Sequence, residues 1–189
     1  MATECLNKKK LDRRVVRTRK AIMDAFDRII VSDDIEKITV SAIAREADID
    51  RKTFYLHFRS IDDLVNYKTE ASLQRVLVAL KERGGNATFT ERIHIALQEV
   101  NVIVGEEVDV YARIASRLSI DQILDYFEQA AEPAMQHSGY TLEFIDNPEK
   151  RMRLQFYMAG ALSLYATWLK MDRSQPIEEI SAIIEESIR

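Results

Sequence analysis

Residues 38–58 run Ile38-Thr-Val-Ser-Ala-Ile-Ala-Arg-Glu-Ala-Asp-Ile-Asp-Arg-Lys-Thr-Phe-Tyr-Leu-His-Phe58. Thr39 is a natural N-cap, and Val40, Ile43, Ala44 and Ala47 follow at i, i+3, i+4 and i+7. That spacing predicts a short amphipathic helix ending near Ala47. Asp48, Ile49 and Asp50 form a turn, and Asp50 can cap a further helix from Arg51 to Phe58. At about 100° per residue, Phe54 and Phe58 share one side of that helix, where Ile49 joins them in a small core. The other side presents Lys52, Tyr55, Leu56 and Arg59, with Arg51 and Thr53 flanking its N-terminal end. Bases, a hydroxyl, a phenol and an aliphatic group suit phosphates and base edges. Two short helices joined by a tight turn therefore predict a DNA-reading helix-turn-helix. The competing reading is a plain amphipathic surface helix with Tyr55 and His57 partly packed.

The flanks agree with a small helical domain. Upstream, Ile22, Ala25, Phe26, Ile29 and Ile30 fall on one face of a helix expected from Val16 to about Ser32, where Ser32-Asp33-Asp34 stops it. Downstream, Ser60 caps a fourth helix, Asp62 and Asp63 suit its positive end, and Gly84-Gly85 ends it after Arg83. Further helices are expected at about 91–104, 109–118, 119–137, 149–171 and 176–188. Across 189 residues there are only five glycines and three prolines, too few to punctuate a sandwich, a barrel or a doubly wound sheet. All-α is the fold class that follows.

Charge is unevenly distributed. Residues 1–20 hold eight bases against two acids, while the whole chain carries −4. A basic end on an acidic body suits one polyanion-binding surface on a soluble protein. The single cysteine, Cys5, excludes an internal disulfide and a cysteine-based zinc site. No apolar run is long enough to span a bilayer and no leader pattern is present, so a cytoplasmic protein without membrane contact is expected. The three histidines (His57, His94 and His137) are scattered, with no metal-pair spacing, nucleophile elbow or glycine-rich phosphate loop. Neither catalysis nor a metal or other cofactor is expected.

The run from Ile38 to Phe58, followed by Arg59-Ser-Ile-Asp-Asp-Leu64, resembles the signature of the TetR (tetracycline-repressor-type) regulators. Its marks are the Thr53-Phe54-Tyr55-x-His57-Phe58 core, the Thr39-Val40 helix opening and the Asp-Leu step in the next helix. The resemblance spans about residues 15–75. It implies an all-α homodimer that represses transcription and releases DNA when a small molecule binds. It further implies a backbone-phosphate contact from Thr39, major-groove contacts from Lys52, Thr53 and Leu56, and phosphate contacts from Tyr55 and His57. Two positions depart from the pattern. Asp48 stands where the turn usually holds glycine, and Ile61 stands where the fourth helix usually begins with a phosphate-binding lysine. Arg59 or the basic N-terminus is expected to supply that contact instead.

Three segments are accordingly expected: a basic arm (1–14), the DNA-binding domain (15–75) and an effector-binding and dimerisation domain (76–189). From Phe156 to Leu169 only Ser163 and Thr167 are polar, which predicts a helix buried on several sides. The last helix carries Ile177, Ile180, Ile184 and Ile188 on one stripe. Two such helices per subunit suit a four-helix dimer interface through Leu162, Tyr165, Trp168, Leu169, Ile177, Ile180 and Ile184, unless they complete a monomer's core. Between the ends, His94, Tyr111, Tyr126, Phe127, Met152, Phe156 and Tyr157 are bulky or soft groups suited to an effector pocket. A DNA-organising or partner-binding protein of the same fold, lacking an effector, is the rival function.

Overall fold

The computed structural model describes residues 2–32, 38–140 and 147–187, with the side chains of 2–12 and of Lys150 outside the description. The described residues are all-α. The helices are α1 (Ala2–Ser32), α2 (Val40–Glu46), α3 (Arg51–His57), α4 (Ile61–Arg83), α5 (Phe89–Glu106), α6 (Val108–Ala115), α7 (Ile120–Ser138), α8 (Pro148–Lys170) and α9 (Ile177–Glu186). The chain divides into two compact units, Met1–Val65 and Asn66–Arg189. The expected stop at Asp33-Asp34, the loop to Lys37 and Ile188 lie outside the described residues.

In the first unit α1 packs on α2 and α3. Ile22, Ala25, Phe26, Ile29 and Ile30 are buried, as the periodicity requires, together with Ile43, Ala44, Phe54, Phe58 and Leu64. One expectation fails at the N-terminus. Helix α1 starts at Ala2 and not near Val16, so the basic stretch expected as a separate arm is the first part of α1. The amphipathic repeat marks only where packing begins. Upstream of it, residues 2–15 contain no glycine or proline and are rich in good helix formers, so the helix continues.

The second unit is built on α8. Helices α6 and α9 pack on it, and α9 also packs on α5. Its core joins Leu97, Val104, Ala115, Tyr165, Ala166, Trp168, Leu169, Ile180 and Ile184, with Ile177 packed against them. Polar atoms in this core are paired: Tyr165 Oη donates to Asn101 Oδ1 at 2.7 Å, and Asn101 Nδ2 donates to Ser181 Oγ at 2.7 Å. Burial pushes the Tyr165 hydroxyl up to about 12, so it remains a donor. A second cluster (Leu77, Leu80, Ile95 and Ala134) ties α4, α5 and α7 together. Reciprocal caps start α5 (Thr88 with Glu91) and α7 (Ser119 with Gln122). Helix α4 ends where expected: Gly84 N–H makes the last i→i−4 bond, to Leu80 O at 2.8 Å, and the backbone there leaves no room for a side chain, since a Cβ on Gly84 would lie 2.3 Å from that same oxygen.

Most residues expected at the interface lie in this core. Tyr165, Trp168, Leu169, Ile180 and Ile184 are buried by their own chain, Ile177 packs on them and Leu162 is half-buried. The opposite side of α8 is the one left open. Met152 is 71% exposed, Phe156 75% and Leu164 37%, and Met171, just past the helix end, 59%. With exposed Gly160, Ser163 and Thr167 they occupy one stripe about 120° wide at helical spacing. Helix α8 thus has a covered apolar face and an open face of mixed character, where Met152, Phe156 and Leu164 stand among Arg153, Ser163, Thr167 and Lys170.

Candidate nucleic-acid interface

Helix α2 opens with Thr39, whose side chain accepts from Ala42 N–H at 3.1 Å. It closes with Asp48 N–H on Arg45 O at 3.2 Å and Ile49 N–H on Ala44 O at 2.9 Å. That bond pair is the Schellman closure, which requires a left-handed residue just past the helix. Asp48 supplies it at φ 54°, in the place where the TetR pattern has glycine. Asp bears this backbone better than most side chains but not for nothing. Arg28 Nε on α1 reaches Glu46 Oε1 on α2 at 2.6 Å and fixes the first helix of the pair.

Asp50 then caps α3. Its carboxylate accepts from Thr53 N–H at 2.6 Å, and this bond first, with the Thr53 side chain second, holds the carboxyl below its usual range. Phe54 is wholly buried and packs on Phe58, ring centroids 6.0 Å apart. Tyr55 lies edge-on to Phe54 at 5.7 Å while keeping 48% of its surface exposed. Leu56 is 75% exposed, and Arg51, Lys52 and Arg59 are exposed beside it. Thr53 and His57 are half-buried at the flanks. Backbone N–H of Arg59 donates to Asp63 Oδ2 at 2.8 Å, and Ser60 Oγ accepts from Asp63 N–H at 3.1 Å. The start of α4 is thereby capped. Ile61 is half-buried and offers no charge.

Arg19 is a member of this surface that periodicity did not single out. Its guanidinium lies over the Phe58 ring at 5.9 Å. Partial burial, reinforced by that positive charge, holds His57 below the usual imidazole range. The pairing spans 38 positions of sequence, and no local signal marks it. Arg13, Arg14, Arg17 and Lys20 are exposed on α1, with Lys20 paired to Asp24 at 2.7 Å.

The residues expected to line an effector pocket do not converge. Met152 and Phe156 belong to the exposed stripe of α8. His94 is exposed too, with Nδ1 2.6 Å from Glu185 Oε1 and Nε2 2.8 Å from Gln98 Nε2. Tyr157 joins Phe89 and Phe156 in a surface ring cluster, with centroids 5.9 and 5.7 Å away. Tyr126 and Phe127 are half-buried on α7. Tyr111 reaches a part-buried polar cluster: its hydroxyl is 3.1 Å from Ser72 Oγ, and Lys68 Nζ lies 5.8 Å from its ring. Lys68 is 9% exposed and pairs with Glu107, a buried charge that sequence reading did not find.

Residues 22–67 match the family model of bacterial regulatory proteins, tetR family. The chain is 39% identical over 70 residues to the uncharacterized HTH-type transcriptional regulator YxbF of Bacillus subtilis (strain 168), covering 36% of this chain and 18% of that protein. It is 27% identical over 113 residues to the uncharacterized HTH-type transcriptional regulator YvdT of the same organism, covering 59% and 58%. The match thus spans under a fifth of one relative and little more than half of the other. Among solved structures it is similar to the fatty acid degradation regulator FadR from Bacillus halodurans (TM-score 0.64, 16% identity, 89% of this chain and 93% of that one). It is similar also to a TetR transcriptional regulator from Streptococcus agalactiae 2603V (TM-score 0.55, 22%, 96% and 99%). At such identities the likeness is one of fold.

Proposed function

We propose that this chain, whose residues 22–67 carry the TetR-family DNA-binding helix-turn-helix, is a cytoplasmic transcriptional repressor that binds a palindromic operator as a homodimer and releases it on binding a small molecule. The observation behind the DNA half of this reading is α3. Wholly buried Phe54 anchors the helix on one side, while Lys52, Tyr55 and Leu56 stand clear on the other. In this reading Lys52, Thr53 and Leu56 enter the major groove, and Thr39, Tyr55, His57 and Arg59 hold the backbone that frames it. Arg51 lies at the groove edge. The exposed bases of α1 add affinity that does not depend on sequence. The exposed stripe of α8 is the surface a second copy would cover, and Tyr111 with its polar neighbours is where an effector would act.

Hydroxyl-radical footprinting on a site selected from random duplexes tests the reading. Two inverted half-sites are expected, with centres about 34–36 Å apart or somewhat further. A selected site without a dyad would overturn the dimeric repressor. The rival, a DNA-organising protein without an effector, predicts that no small molecule releases the footprint.

A further inference from the structure

We propose that Leu56 is a specificity residue that reads a thymine methyl, so that each half-site carries a thymine whose C5-methyl meets this side chain. The proposal rests on the DNA-binding reading above and deepens it. Phe54 at 0% and Phe58 at 3% exposure define the inner side of α3. Counting about 100° per residue, Leu56 lies nearly opposite the mean of those two, and Lys52 lies one turn away on the same ridge. The outermost ridge of the helix is therefore one ammonium and one isobutyl group, and the isobutyl group is 75% exposed. Nothing in its own chain uses that surface.

A helix entering the major groove presses this ridge against base edges. Most groups on those edges are hydrogen-bond donors or acceptors. Leucine can pair with none of them, and covering them would strip their water without replacement. The thymine C5-methyl is the one apolar group there. Leu56 against a methyl buries apolar surface on both sides and leaves no polar group unsatisfied. Lys52, a turn earlier, suits a guanine O6/N7 edge nearby, which fixes the ridge along the groove and brings Leu56 to a defined base.

The test uses the full chain and an operator selected from random duplexes. Each thymine of a half-site is replaced in turn by uracil, which lacks only the methyl. At one position wild type should lose affinity about three- to fivefold, the worth of one buried methyl. Leu56→Ala should bind the thymine site about as weakly as wild type binds the uracil site, and should lose almost nothing further on the uracil replacement. Leu56→Met, which keeps an apolar end, should retain sensitivity at the same position. Circular dichroism should show both variants folded, because the side chain is exposed. Equal uracil losses for wild type and Leu56→Ala at every thymine would overturn the contact while leaving the DNA-binding reading standing. Failure to select any operator would remove both.

Discussion

His57 sits at the end of α3 under two opposed influences. Partial burial and the Arg19 charge favour its neutral ring in the free protein, so its folded value lies below the usual one of about 6.5. The unfolded chain therefore binds the proton more readily. The stability this residue contributes is present above the unfolded value and is lost as pH falls through the lower folded value. The DNA phosphate proposed beside the ring would act the other way, since it attracts the proton. Lowering the pH from about 7.5 to about 5.5 should thus tighten operator binding while lowering the melting temperature of the free protein. His57→Gln should remove much of the added affinity. Binding isotherms across that range decide it, and a pH slope unchanged in the variant would place the ring away from phosphate. Asp48, a few residues earlier, shows a similar division at the backbone. The family pattern has glycine at this position, and the Schellman bonds at φ 54° supply the physical reason, a required left-handed residue.

Among the elements, α4 and the junction between α5 and α6 are held by charge. Lys68 has a side chain only 11% exposed, whereas its partner Glu107 keeps 40%. A buried ammonium needs its carboxylate more than a half-exposed carboxylate needs its ammonium. Glu107→Gln is expected to cost about 2 kcal/mol, a buried-pair penalty reduced for the partner's solvent access. Lys68→Met should cost under about 1 kcal/mol, because the methionine fills the site and Glu107 turns to water. Urea unfolding of both variants and of the double variant checks the order. A larger loss for Lys68→Met would mean that the ammonium holds more than this one carboxylate. Arg75 on α4 repeats the pattern with Glu99 at 3.1 Å and Glu106 at 2.6 Å, on a more exposed surface. Salt should weaken that pair first.

For the whole molecule the decisive surface is the open stripe of α8. Phe156 and Met152 are more than two-thirds exposed, and Gly160 beside them permits a close helix approach. If a second copy covers this stripe, Phe156→Asp should bring an aspartate into an apolar seam and yield a monomer. Its helix content should be unchanged, since the side chain is 75% exposed and gives up only a surface ring contact with Tyr157. Sedimentation velocity should show a dimer for wild type and a monomer for the variant, and the variant should lose the paired footprint. A monomeric wild type would exclude the proposed assembly. The stripe also explains why the expected pocket did not gather. Met152 and Phe156, expected around a ligand, lie on this stripe, while Tyr165, Trp168 and Leu169, expected at an interface, fill the core.

Local chemistry was enough for the helix-turn-helix from Thr39 to the start of α4. Thr39, Asp50 and Ser60 are caps, Phe54 and Phe58 recur at i and i+4, and the turn between them is short, so each element is decided by residues a few positions apart. The same logic made the chain all-α and set most helix ends within a few residues. It misplaced the start of α1, because periodicity reports packing and not where the backbone stays helical. Tertiary structure alone decided the rest. It placed Arg19 over Phe58, buried Lys68 against Glu107, and chose which apolar face of α8 turns inward. Each of these depends on partners tens of positions away in the chain. Periodicity can show that a face is apolar, but which neighbour covers it is settled only when the helices pack.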